Sequence, residues 1–173
     1  SEYTETYLGI MTECEIHSGA FDGYYGQTSP WIANGGIFKQ IIHCKGSDGK
    51  NLAYIRIGGN AYIDQLHPGS HDGNDNTTTL SPINVCGGEI KECYLTGRKS
   101  TAPTKGNALF WCNGGYIHNF LGAYMEPVNG NVIAKIDHAL VDNFYGGGAN
   151  PNQPVTGNIN ISINNSLVDF FCG

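Results

Sequence analysis

Apolar side chains recur on alternate residues in short runs along this chain, and the runs are copies of one another. Residues 130–146 (GNVIAKIDHALVDNFYG) align without a gap on residues 157–173 (GNINISINNSLVDFFCG), about 27 residues later. Ile136 falls on Ile163, Leu140-Val141-Asp142 on Leu167-Val168-Asp169, and Phe144 on Phe171. Each copy has an alternating half, such as Val132, Ala134 and Ile136, then a turn and a second apolar pair. Alternation with a period of two describes strands with one buried face. No segment carries the i, i+3, i+4 apolar stripe of a helix.

The same pattern extends upstream through residues 106–122, 81–94, 53–66 and 29–42, in steps of about 23 to 28 residues, the length of one solenoid coil. A weaker copy at residues 12–25 stands only about 17 residues before its neighbour and reads as a cap. Three apolar columns emerge from the alignment. The first is Cys14, Trp31, Ile55, Ile83, Phe110, Ala134, Ile161, and the second is Ile16, Ala33, Ile57, Val85, Cys112, Ile136, Ile163. The third, beyond the turn, is Phe21, Phe38, Tyr62, Ile90, Ile117, Val141, Val168. Strands that recur once per coil and stack in register must be parallel, and parallel crossovers are right-handed. The expected fold is therefore all-β, a right-handed parallel β-helix of about six coils, whose coils are stable only when stacked. Residues 1–28 form its cap and residues 29–173 its stacked coils.

The turns agree with this layout. Gly35-Gly36, Gly58-Gly59, Gly87-Gly88 and Gly114-Gly115 follow the first strand of their coils, with His138 and Asn165 in the equivalent region later on. Segments 68–80, 97–106, 122–130 and 146–157 vary in length and lose the period. Variation at one fixed point per coil gathers these loops along one edge, where function usually resides.

Composition narrows the functional classes. The chain has 173 residues, enough for one domain, with 14% charged residues and a formal net charge of −6. Nucleic acid and anionic membranes need concentrated Lys and Arg, so neither is an expected partner. No apolar run approaches the roughly 20 residues of a membrane span. No signal-peptide pattern opens the sequence, so an exported form is expected to carry one ahead of it. Gly173 falls where Gly146 falls one coil earlier, before the loop of that coil. Further coils beyond residue 173, or end-to-end self-association, are therefore expected.

Candidate chemistry is sparse. Of six cysteines, Cys14, Cys93 and Cys112 fall in apolar columns and read as packed free thiols; the best bridge would be Cys86 to Cys112. No C-x-x-C occurs, and His71-Asp72-Gly73-Asn74-Asp75-Asn76 lacks the EF-hand spacing, so neither a metal nor a cofactor is expected. The outward column Lys91, His118, Asp142, Asp169 is the sharper candidate. Stacking would bring Asp142 and Asp169 to about 4.8 Å at Cα, close to the carboxyl separation of retaining glycosidases, with His118 next in line. The bland reading is solvated strand surface, since the outer face of any solenoid meets water. On the loop edge, Tyr124, Tyr145, Asn150 and Asn152 combine rings with hydrogen-bonding neighbours, which suits sugar faces; turn filling is the ordinary alternative.

Through Gly114-Gly115-Tyr116-Ile117, Leu140-Val141-Asp142 and Leu167-Val168-Asp169, the chain resembles right-handed parallel β-helix proteins of the secreted and bacterial cell-surface type. That group holds pectate-lyase-like enzymes and adhesin-like proteins. Its enzymes carry Asp clusters with a catalytic Lys or Arg, or paired Asp with Gly-His-Gly. Here no His sits between glycines, and Arg occurs only at Arg56 and Arg98. The resemblance therefore implies an extracellular or surface-displayed module that binds a polysaccharide or other surface glycan. The alternative is a polysaccharide lyase or glycoside hydrolase using Asp142, Asp169 and His118.

Overall fold

Two long parallel sheets carry the chain, and they share its strands alternately. The computed structural model describes residues 4–8, 14–26, 31–43, 54–68, 80, 82–97, 104–148, 152 and 154–173. Within these residues the chain is all β, with no helix. The seven-stranded sheet holds β2 (Cys14–Ile16), β4 (Trp31–Ala33), β6 (Ile55–Ile57), β8 (Ile83–Val85), β11 (Ala108–Asn113), β14 (Val132–Asp137) and β16 (Ile159–Asn164). The eight-stranded sheet holds β1 (Thr4–Leu8), β3 (Ala20–Gly26), β5 (Ile37–His43), β7 (Tyr62–His67), β9 (Glu89–Tyr94), β12 (Tyr116–Ala123), β15 (Leu140–Gly148) and β17 (Leu167–Cys172). A third, short side forms late in the chain, where β10 (Thr104–Lys105) pairs with β13 (Val128–Asn129) and Val128 bridges to Val155.

This is a parallel β-solenoid. It amounts to about four turns, fewer than the six expected. The apolar columns count strand pairs, whereas a turn also needs the return segment to the next coil. Several returns, such as 44–53 and 69–79, lie outside the described residues. The copy at residues 12–25 pairs in register in both sheets, through β2 with β4 and β3 with β5, so its strands stack as those of the later coils do.

The first two columns stack residue on residue as the alternation requires. Ile55 meets Ile83, Ile83 meets Phe110 and Phe110 meets Ala134, while Ile57, Val85, Cys112 and Ile136 follow two residues on. All eight are buried. The third column needs one correction: Ile63, not Tyr62, lies between Phe38 and Ile90. The corner between β6 and β7 is one residue longer than its neighbours, since Ile57 stacks on Val85 but Ile63 on Ile90. A gap-free alignment therefore slips by one there, and a slip of one exchanges the two faces of a strand.

A fourth inward column escapes the period-2 reading. Ile41, Leu66, Cys93, Phe120, Phe144 and Phe171 stack in the eight-stranded sheet, three residues after the third column rather than two. Each strand thus bends, with two outward residues between inward ones, as in β12, where Ile117 and Phe120 are buried and His118 and Asn119 half-buried. The Phe120 and Phe144 rings stack at 4.4 Å with 7° between planes, and Phe144 and Phe171 at 5.4 Å with 9°. Stacked rings of this kind add to the area that they bury.

The corner between the sheets is set by backbone conformation. Gly88 has φ 80°, and a Cβ there would stand 2.6 Å from the Ala61 carbonyl oxygen, so the preceding coil leaves no room for a side chain. In later coils His138 (φ 52°) and Asn165 (φ 47°) take the left-handed conformation instead, as their alignment with the glycines implies.

Cys93 and Cys112 pack as free thiols, and burial pushes Cys112 up to about 12 and Cys93 well above its ordinary value. The Cys86–Cys112 bridge does not form: Cys86 is free and exposed, with its Sγ 3.3 Å from the Ile57 carbonyl oxygen. The Asp/Asn segment 71–76 lies outside the described residues.

Candidate ligand-binding face

The bend in each strand of the eight-stranded sheet puts three adjacent columns on its outer side. The first follows the corner directly: Ile37, Tyr62, Glu89, Tyr116, Leu140 and Leu167 pair in sequence. The second holds Asp64, Lys91, His118, Asp142 and Asp169, each one residue after a core side chain of the third inward column. The third holds Gln65, Glu92, Asn119 and Asn143, also paired in register, and ends at Phe170.

These columns bond sideways, coil to coil. His118 Nε2 lies 2.7 Å from Glu89 Oε1, and His118 Nδ1 lies 3.1 Å from Asp142 Oδ2. With a carboxylate at each ring nitrogen, only the imidazolium form donates to both. The Tyr116 hydroxyl approaches both oxygens of Asp142, at 2.9 and 2.8 Å. That hydrogen bond holds the Tyr116 phenol above its ordinary value, with the charges of Asp142, Glu89 and Asp169 adding to the effect. Asn143 Nδ2 donates to Asn119 Oδ1 at 2.9 Å, and Asn119 Nδ2 donates to Glu92 Oε1 at 2.9 Å. Further up, the Tyr62 hydroxyl donates to Asp64 Oδ1 at 3.2 Å, and Lys91 Nζ stands 3.8 Å from the same oxygen.

The structure therefore brings His118 and Asp142 together and leaves Asp169 on the terminal strand, exposed, one coil beyond Asp142. Glu89 and Tyr116, which complete the cluster, were not singled out from the sequence. Their signal was the position immediately before the third column, where Tyr62, Glu89 and Tyr116 recur. The cluster is open to water, with side-chain exposures of 30% for His118, 35% for Asp142 and 43% for Glu89. An acid that keeps its proton near neutral pH needs more shelter than this surface provides.

The loop edge is arranged differently from its sequence reading. Tyr124 is half-buried, stacked on Tyr94 at 4.1 Å, and its backbone N–H donates to Thr96 Oγ1 at 2.7 Å. Tyr94 stacks in turn on the buried His67 at 4.6 Å. Tyr145 is half-buried in β15 and tilted against Phe170. Asn152 is exposed, and Asn150 lies outside the described residues. The four proposed ligand residues are thus not brought into one group.

Two shallow grooves lie along the corner beside the first outer column, one of about 550 Å³ against Gly19, Gly36, Ile37 and Tyr62, the other of about 560 Å³ against Ala139, Leu140, Ser166 and Leu167. Among the described residues no group of three or more His, Cys, Asp or Glu side chains could hold a metal ion, and no helix is long and apolar enough to cross a membrane. Comparison with protein-family models, with curated proteins and with solved structures gave no match.

Proposed function

We propose that the chain is a secreted or cell-surface β-solenoid that binds carbohydrate, as a glycan-recognition or adhesion module. The observation that carries this reading is the outer face of the eight-stranded sheet. There carboxylates, amides and the Tyr116 hydroxyl are tied to one another across coils from Glu89 to Asn143, and the Tyr62 hydroxyl is held by Asp64 on its own strand. Side chains already held in place lose little freedom on meeting a ligand. A flat array of rings and hydrogen-bonding groups at the strand spacing matches a polymer with a short repeat better than a single small molecule.

The rival reading is a polysaccharide lyase or glycoside hydrolase, and the cluster of His118, Asp142, Glu89 and Tyr116 favours it. Against it stand the exposure of that cluster and the engagement of Asp142 by Tyr116 and His118. A lyase also needs a cation beside the developing enolate, and Lys91 is drawn towards Asp64 on the far side of His118.

The last coil adds a second expectation. Among the described residues β16 and β17 each keep an open edge and Leu167, Phe170 and Phe171 are exposed, and association of copies through that face is proposed as part of this reading.

A panel of neutral and acidic polysaccharides, read out by binding and by product release, tests the choice. Saturable binding without products is the expected result. Product formation by the wild type that is lost in a folded Asp142→Asn variant would establish the enzyme instead.

A further inference from the structure

We infer that the ligand is an extended, uncharged polysaccharide lying parallel to the solenoid axis, on the stripe Ile37, Tyr62, Glu89, Tyr116, Leu140, Leu167 rather than on the loop edge. The inference rests on the glycan-binding reading above and names the place and the class of polymer.

The stripe is anomalous for an outward column. Solvent-facing positions of a strand are ordinarily polar, yet Ile37, Leu140 and Leu167 are 45%, 49% and 62% exposed, with the Tyr62 and Tyr116 rings half-exposed between them. Because the six residues pair in sequence across the sheet, they form a line along the axis with a step of about 4.8 Å. Tyr62 and Tyr116 are two steps apart, about 9.6 Å, comparable with the disaccharide unit of an extended chain. Both hydroxyls are held by carboxylates, Tyr62 by Asp64 and Tyr116 by Asp142, which fixes the rings before any ligand arrives.

The flanks fit the same occupant. On the corner side the glycines at 87–88 and 114–115 raise no wall beside Glu89 and Tyr116, and the two shallow grooves continue the line at either end. At Gly88 the preceding coil leaves no room for a side chain, so the corner beside Glu89 is open because of the fold. On the other side stand the hydrogen-bonding groups of the second column. An apolar stripe with a polar margin matches a sugar chain, whose ring faces carry C–H and whose edges carry hydroxyls. A peptide strand would instead seek an open sheet edge, where backbone groups remain unpaired.

Charge selects within the class. Glu89 lies within the stripe and Asp64, Glu92, Asp142 and Asp169 flank it, against the cations Lys39 and Lys91. Asp64, Glu89, Glu92 and Asp142 are already engaged with neighbours, and the excess is negative. A polyuronate would meet like charge along its whole length, which costs affinity without any compensating contact.

Affinity electrophoresis through gels containing hydroxyethylcellulose, galactomannan or polygalacturonate tests the inference. The expected result is retardation by a neutral polymer and none by polygalacturonate. Tyr62→Ala and Leu140→Asp should each weaken binding about tenfold, the size of one lost stacking or apolar contact. Tyr116→Phe keeps the ring but loses the bond to Asp142 that holds it, and should weaken binding by less than Tyr62→Ala does, while Tyr145→Ala, near the loop-edge end of β15, should change nothing. Leu140 is exposed, so Leu140→Asp remains informative if Tyr62→Ala fails to fold. Retardation by a neutral polymer that is lost in Tyr145→Ala and kept in Leu140→Asp would overturn the inference and leave glycan binding standing. Preference for polygalacturonate would overturn it as well. Retardation by none of the polymers would overturn both the inference and the function on which it rests.

Discussion

The Tyr116 hydroxyl and the Asp142 carboxylate, 26 residues apart in sequence, meet across one coil at 2.9 and 2.8 Å. The contact opposes loss of the phenolic proton, because the phenolate would face a carboxylate with no proton between them. The Tyr116 phenol is accordingly raised above its ordinary value of about 10. A raised folded-state value contributes stability that is present below the unfolded value and lost as pH climbs through the folded one. Asp142→Asn should therefore return the phenol towards the ordinary range in an ultraviolet titration. A tyrosine titration unchanged by the substitution would mean that the bond does not form in solution.

Ile63 and Tyr62 provide a test of register. Ile63 is fully buried between Phe38 and Ile90, whereas Tyr62 faces outward. Ile63→Ala should cost about 2 to 5 kcal/mol in chemical denaturation, the usual range for truncating a core aliphatic. Tyr62→Ala removes a surface ring and should cost about 1 kcal/mol or less. Equal losses would mean that the corner does not hold the extra residue found here.

The contrast between those two residues shows what could be read in advance. Spacing alone was enough for the parallel solenoid and the middle of its first two columns, because in β6, β8, β11 and β14 buried residues alternate with more exposed ones. The third column failed at one coil, where an added corner residue leaves no compositional mark. The fourth, running from Ile41 to Phe171, was missed because the strand bend replaces a period of two by a step of three. For the candidate site, His118 and Asp142 were legible as neighbours in one outward column. Glu89 and Tyr116 were not, since which polar side chains reach one another depends on rotamers and on coil register. Tyr124 looked exposed because its segment is polar and irregular, yet its ring is taken up by Tyr94.

Asp137 offers a pH-dependent check on the corner. Its carboxylate accepts Asn165 Nδ2 at 3.0 Å and has His138 Nδ1 at 3.0 Å. The Asn165 hydrogen bond, followed by the His138 contacts, lowers the Asp137 acid below its ordinary value. A lowered folded-state value gives stability that is present above the unfolded value of about 4 and lost as pH falls through the folded one. Asn165→Gly removes the amide and keeps a residue at ease with the φ of 47° found there. In an NMR titration the Asp137 midpoint should move up in this variant, with the corner otherwise intact. A midpoint that stays where it was would assign the shift to His138.

Phe171 lies one coil beyond Phe144, and no described residue stacks on its far face. The two rings stack at 5.4 Å, yet Phe144 is fully buried and Phe171 is 51% exposed. Beside it, Leu167 and Phe170 are exposed as well, and β16 and β17 each keep one edge without a strand partner in their sheets. Apolar exposure and open strand edges coincide at β16 and β17, and a second copy placed against them satisfies both at once. The chain should therefore associate with rising concentration in sedimentation analysis. Charge at the exposed ring positions should suppress this, so Phe170→Lys with Phe171→Lys should sediment as a monomer at every concentration. These side chains lie at the end of the stack, so the pair should cost less stability than Phe120→Ala, which empties a core position at a cost of about 3 to 5 kcal/mol. Association that persists in the double variant would move the contact to another face, and a wild type that stays monomeric would remove self-association from the function proposed here.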